Sequence, residues 1–251
     1  MSIVDVGGVR IRYETWGDGP SVTLLHGFTS SIEQTWVERG WVELLTDAGH
    51  QVIGVDLRGH GQSSKLYRAE DYETAVLASD VIRVLDELDV ARSAVFGFSM
   101  GAGVALQLAM DSPARVRHLV LCGIGDAAIR GRHEPREIKE MTEALAAVDP
   151  RRVSSPLGQR IRAAAERGAN DLLALAALTR RGGWPGDLVD PSPVDLPALL
   201  GVSGGDEYMR STTRLLELLP QAEVVTLPDA AHTMILSDDR FRQAVLRFSA
   251  L

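Results

Sequence analysis

Val9–Trp16 reads V-R-I-R-Y-E-T-W, apolar and polar by turns, the period of a strand with one wet face. The turn residues Gly17-Asp18-Gly19-Pro20 end it. Ser21–Leu25, Gln51–Asp56, Ala94–Phe98 and His118–Gly123 are short apolar runs, which predict strands covered on both faces. Between these runs the period lengthens. Trp36–Ala48 predicts a helix stopped by Gly49. Within Ala69–Val90, the residues Leu77, Val81, Val84, Leu85 and Leu88 form one stripe of an amphipathic helix. Met100–Met110 predicts another. Strands alternating with helices predict a mostly parallel sheet with helices on both faces, and the early alternating strand predicts an antiparallel edge.

The pattern changes between Asp126 and Pro193. No strand is apparent there, and Ala, Arg and Glu are frequent. Helices are expected near Glu134–Val148, Leu157–Arg167 and Asn170–Thr179. The alternation then resumes with a strand at Ala198–Ser203, a helix at Tyr208–Leu219, a strand at Ala222–Leu227 and a closing helix at Asp238–Ser249. The expected organisation is a core of residues 1–125 and 194–251, interrupted by a helical insertion at 126–193. About 65 residues are few for an independent core, so the insertion is expected to lie over the end of the sheet.

Composition narrows the range of partners. The chain has 251 residues, with 26 Lys and Arg against 34 Asp and Glu, a net charge of −8. That balance disfavours polyanions, so neither nucleic acid nor an anionic membrane surface is an expected partner. Cys122 is the only cysteine, which excludes an intrachain disulfide. No apolar run is long enough to span a bilayer, and the first residues carry neither a basic nor an apolar signal region. A cytoplasmic protein acting on a small-molecule substrate is expected. No cofactor or metal is implied, and a homodimer is compatible with the sequence.

The chemistry centres on Gly97-Phe98-Ser99-Met100-Gly101, a G-x-S-x-G between an apolar strand and a helix. A serine wedged there needs glycine on either side for the turn, and the helix start behind it offers free N–H groups. Serine attacks only when a base takes its proton. Of the six histidines, His232 lies between the last strand and the last helix, on the correct edge of the sheet. His50 and His118 precede or open strands and belong to the opposite edge, and His133 falls in the insertion. The imidazole needs a carboxylate. Asp206 follows the strand Ala198–Ser203 and is preferred to Asp126, which also follows a strand end. An oxyanion requires two donors; the N–H of Met100 and the N–H of Phe28, after His26-Gly27, are the candidates. His26 is expected to pin this loop. Phe98 and Met234, which flank the catalytic positions, with Trp36, Trp184 and Met209, are the candidate substrate pocket. The basic residues Arg130, Arg132, His133 and Arg136 are expected to form a solvated face.

Taken in order, H-G-F at 26–28, D-L-R-G-H-G-Q-S at 56–63, G-F-S-M-G at 97–101, G-G-D at 204–206 and the late His232 resemble the α/β-hydrolase superfamily. The resemblance implies an α/β-hydrolase fold: about eight strands, flanked by helices, with a small helical cap after the sixth strand. It also implies a Ser99–His232–Asp206 triad and makes the segment Asp56–Ser63 a structural turn. Dehalogenases and epoxide hydrolases of this superfamily carry aspartate where Ser99 stands. A serine hydrolase of small, largely apolar esters, thioesters or lactones is therefore expected. The alternatives are carbon–carbon hydrolysis of vinylogous 1,5-diketones and a slow-turnover ligand sensor of the same fold. Activity should fall as the pH drops through about 6.5, the ordinary value for histidine.

Overall fold

The computed structural model describes residues 2–130, 135–180, 188, 191–206, 209 and 211–249. Strand β1 (Ser2–Val6) turns back into β2 (Val9–Trp16), and β3 (Ser21–Leu25) follows. A short π-helical turn at Glu33–Val37 leads to helix α1 (Trp41–Asp47) and strand β4 (Gln51–Val55). Helix α2 (Thr74–Glu87), strand β5 (Ser93–Phe98), helix α3 (Met100–Asp111) and strand β6 (Val116–Cys122) continue the alternation. Among the described residues, helices α4 (Ala127–Arg130), α5 (Pro135–Ala146), α6 (Pro156–Arg167) and α7 (Leu172–Arg180) come next. The chain closes with β7 (Ala198–Ser203), α8 (Thr213–Leu218), β8 (Ala222–Leu227) and α9 (Asp239–Ser249).

The eight strands form one sheet in the order β1-β2-β4-β3-β5-β6-β7-β8. Strand β2 runs antiparallel to β1 and β4, and every other pairing is parallel. Two local readings change. Strand β1 went unread because its partner lies across a two-residue turn, Gly7-Gly8, with φ of 62° and 89°. Such a glycine pair supplies the positive φ that tight hairpins demand, and it places Val6 opposite Val9. The single helix expected over Trp36–Ala48 is two pieces. Gly40 breaks it with φ 71°, and its N–H closes the first piece on the Val37 carbonyl at 2.9 Å.

Alternation along the strands sorts the core into two layers. Leu25, Ile53, Val55, Val95, Leu119, Leu121 and Leu200 face one way, against α2 and α3. Val22, Leu24, Val52, Phe96, Val120 and Leu199 face the other, against α1 and α9. The first layer does not end with the sheet. It runs on through Phe28, Met100 and Ile124 to Met141, Leu145, Ile161, Ala165 and Leu175 of α5, α6 and α7. The helices between β6 and β7 thus share the sheet's own apolar interior.

Candidate active site

Parallel register aligns the C-terminal ends of the central strands. Leu25 of β3 stands opposite Gly97 of β5, Phe98 opposite Cys122 of β6, and Cys122 opposite Gly201 of β7. The loops that leave these ends therefore meet along one rim. Ser99 is the first residue past β5, with φ 53° and ψ −116°. A non-glycine residue with positive φ is uncommon and costs on the order of 1–3 kcal/mol. Its N–H holds the Cys122 carbonyl at 2.8 Å, and its carbonyl accepts from Ala102 at 2.9 Å as α3 begins. A Cβ at Gly97 would overlap the Gly101 carbonyl oxygen, and one at Gly101 would overlap that of Leu25. Both glycines are thus required by close backbone approach.

His232 begins a 3-10 turn, His232–Ser237, between β8 and α9. Its Nε2 lies 3.0 Å from Ser99 Oγ and its Nδ1 lies 2.6 Å from Asp206 Oδ2. Three side chains from distant parts of the chain make one continuous line. The Asp206 side chain is buried and that of His232 is 18% exposed, so the imidazole faces outward over a covered carboxylate. The acid and histidine loops are joined directly: the Ser203 hydroxyl donates to the Ala230 carbonyl. The histidine turn is held from outside by the Trp41 indole N–H on the Leu236 carbonyl, at 2.9 Å. Asp126 is occupied otherwise. Its Oδ1 accepts the N–H groups of Arg214 and Leu215, both at 3.0 Å, and caps the start of α8.

The loop after β3 passes over the serine; a Cβ at Gly27 would lie 3.4 Å from that of Ser99. Buried His26 fixes this loop. The Leu57 N–H donates to its Nε2 at 3.0 Å, so Nδ1 carries the proton and donates to the Gly27 carbonyl at 2.8 Å. Burial pushes its basicity down, which keeps the ring neutral. The turn after β4 is braced below it. Asp56 accepts from Arg12 at 3.0 Å, from the Ile32 N–H at 2.9 Å and from the Gln62 N–H at 2.8 Å. Arg58 forms a bidentate pair with Asp80 of α2, at 2.6 and 2.7 Å.

Met100 occupies the first position of α3, where N–H groups have no partner within the helix. Phe28 follows Gly27 directly, and both residues are buried at the rim. The Phe98 ring lies 5.0 Å from that of His232. Met234, two residues beyond the histidine, is exposed. Trp36 requires correction as a pocket residue. It is fully buried in the layer against α1, its ring 4.7 Å from Phe96 and 6.4 Å from Trp41. The π-helical turn before Gly40 swings it inward, so it has no surface for a substrate. Met209 is also buried; its sulfur accepts the Ser203 N–H at 3.4 Å, behind the Asp206 loop. It packs behind this loop and presents no exposed face. Trp184, Arg132 and His133 lie outside the described residues. Among the described residues, no cluster of three His, Cys, Asp or Glu could hold a metal, and no helix is long and apolar enough to cross a membrane.

Sequence reasoning did not find Ser203, Trp41 or Asn170, the last of which donates to the Thr29 carbonyl at 2.8 Å. Each acts on backbone far away in the chain, and no local spacing signals that.

Comparison with known proteins places this architecture. A family model described as alpha/beta hydrolase fold matches residues 20–186. The dihydrolipoyllysine-residue acetyltransferase component of the acetoin cleaving system of Cupriavidus necator is 39% identical over 152 residues, 56% of this chain and 39% of that protein. The component of the same name from Pseudomonas putida is 29% identical over 265 residues, 97% of this chain and 68% of that protein. The chain thus spans about two fifths and two thirds of the length of these curated relatives. Among solved structures, the enol-lactonase from Burkholderia xenovorans LB400 superposes with a TM-score of 0.77 at 24% identity, covering all of both chains.

Proposed function

The chain belongs to the alpha/beta hydrolase fold family, and from that premise we propose that it is a serine hydrolase cleaving small, largely apolar carboxylic esters, thioesters or lactones through an acyl-enzyme. The observation that carries this reading is the unbroken line Ser99 Oγ, His232 Nε2, His232 Nδ1, Asp206 Oδ2, with steps of 3.0 and 2.6 Å. Asp206 accepts the Nδ1 proton and so fixes the tautomer that leaves Nε2 basic. Ser99 Oγ attacks the carbonyl carbon as its proton passes to His232. The oxygen of the tetrahedral intermediate is met by the N–H groups of Phe28 and Met100. His232 returns the proton to the leaving alcohol, thiol or lactone oxygen. It then takes a proton from water, which attacks the acyl-enzyme and frees the acid. Helices α4–α7 serve as a cap over this rim.

The apolar character of the acyl group is supported by the setting. The Phe98 ring lies against His232, and the buried charges of the neighbouring loops are paired with each other, Arg12 to Asp56 and Arg58 to Asp80. Short-chain p-nitrophenyl esters and a fluorophosphonate probe test the proposal. Multiple turnovers and stoichiometric labelling are expected, both lost in Ser99→Ala. Equal turnover by Ser99→Ala and the parent chain would defeat it. A vinylogous 1,5-diketone run in parallel separates ester from carbon–carbon hydrolysis; faster cleavage of the diketone would move the assignment to the latter.

A further inference from the structure

Thr29, the residue after the proposed oxyanion donor Phe28, has φ 61°. A β-branched residue in the left-handed region is a true outlier and holds only where its surroundings force it. The constraint comes from the helices above the rim. Asn170, in the connection between α6 and α7, donates from Nδ2 to the Thr29 carbonyl at 2.8 Å and to the Ala165 carbonyl at 3.4 Å. Ala169 before it is itself left-handed, with φ 49°, and directs the chain so that the amide reaches across. The approach is close: a Cβ at Gly168 would lie 2.6 Å from the Thr29 oxygen. The next residue, Asp171, accepts from the Tyr67 hydroxyl at 2.9 Å and caps α7 through the N–H groups of Leu173 and Ala174. Two adjacent residues therefore clasp two loops of the core, the one after β3 and the one after β4. The Asn170 contact lies one residue from the proposed oxyanion donor, and the Asp171 contact lies elsewhere.

We propose that Asn170 is a positioning residue: its side-chain amide fixes the strained Thr29 peptide, and so aims the neighbouring Phe28 N–H at the oxyanion. The helices over the site thereby take part in transition-state stabilisation without touching the reacting atoms. The inference rests on the acyl-transfer reading above. An oxyanion donor acts mainly in the transition state, so losing its aim lowers kcat and leaves KM nearly unchanged. Removing such a donor outright costs about 10²–10³-fold in kcat, and misdirecting it should cost less, on the order of tenfold.

The test compares Asn170→Ala, Asn170→Asp and Tyr67→Phe on a small acetate ester, with binding of a boronic acid as a tetrahedral mimic. Asn170→Asp keeps the side-chain size but cannot donate, so it decides the matter if Asn170→Ala does not fold. Both Asn170 variants should lose roughly tenfold in kcat with KM within about twofold, and should weaken boronate binding in proportion. Tyr67→Phe, which loosens the other clasp, should leave kcat intact. The proposal is overturned if Asn170→Asp turns over like the parent, or if its loss lies wholly in KM. It is equally overturned if Tyr67→Phe lowers kcat as much, since the effect would then be general loosening. Failure of the parent chain to turn over any ester would defeat the acyl-transfer reading instead.

Discussion

Asp206 and Asp126 both follow strand ends but hold different partners, and substitution should separate them. Asp206 faces His232 from a buried position, and its carboxylate fixes the ring tautomer. Asp206→Asn should retain the fold and lower kcat by about 10³–10⁴-fold, since the amide favours the wrong tautomer. Asp126→Asn is the matched control. Its Oδ1 already serves the Arg214 and Leu215 N–H groups, and asparagine also caps helices well. Its turnover should stay within about twofold of the parent, with at most about 1 kcal/mol lost in urea unfolding. Steady-state kinetics on one ester decide between them, and a collapse in Asp126→Asn would reassign the acid. Backbone geometry explains why a turn between strand and helix at Ser99 is legible in sequence. Gly97 is fixed by Gly101 and Ala102 within the same turn, whereas Gly101 is fixed by the Leu25 and His26 carbonyls of the neighbouring strand end. Trp36 was misread for the opposite reason. Its position near the rim in sequence says nothing of a turn that directs it beneath the sheet.

Elements show the same division. Strands β2, β3, β7 and β8 coincide with the expected ranges because alternation and apolar runs are local signals. Strand β1 and the break at Gly40 were not legible; one depends on a partner strand and the other on a single φ. The stripe Leu77, Val81, Val84 and Leu85 falls within α2, and a 3-10 turn at Ala69–Tyr72 precedes the helix. What anchors α2 to the rim is a charge pair that no spacing announces. Asp80 of α2 binds Arg58 in two places, with both side chains buried, and Arg58 also reaches the Asp71 carbonyl at 2.9 Å. Removing one partner leaves the other ion covered and alone. Asp80→Ala should therefore cost about 3–5 kcal/mol in urea unfolding. Replacing both by apolar residues of like volume should cost far less. If the single and the double variant unfold alike, the pair contributes nothing by being matched.

Over the whole molecule, buried histidines set the response to acid. Burial holds His60 down at about 3 and His118 at about 4, and it lowers His26 as well. In the unfolded chain these rings titrate near 6.5. Below that pH the unfolded state binds more protons than the folded one, so stability falls as pH drops from about 6.5 to about 4. Asp56, held below the usual carboxylate range despite its burial, adds a further loss below about 3.9. Between pH 6.5 and 5, His60 and His118 should each remove about 1.6 kcal/mol, seen as a falling urea midpoint. His118 lies against Phe248, far from the serine in the fold, with ring centroids 5.1 Å apart. His118→Leu should flatten this slope without changing turnover at pH 7.5; an unchanged slope would show that the ring is not a source of the acid sensitivity.

The apolar layer that runs unbroken from the sheet into α5, α6 and α7 has a consequence for traffic. A cap hinged as a separate body could swing aside at small cost, but α5, α6 and α7 share one interior with the sheet. Wide opening would wet Leu145, Ile161, Ala165 and Leu175 together. Reactants should then reach the serine through brief, shallow breathing, and the molecule should melt in a single step. Amide exchange in α7 should be as slow as in β5; exchange orders of magnitude faster would mean a cover that travels.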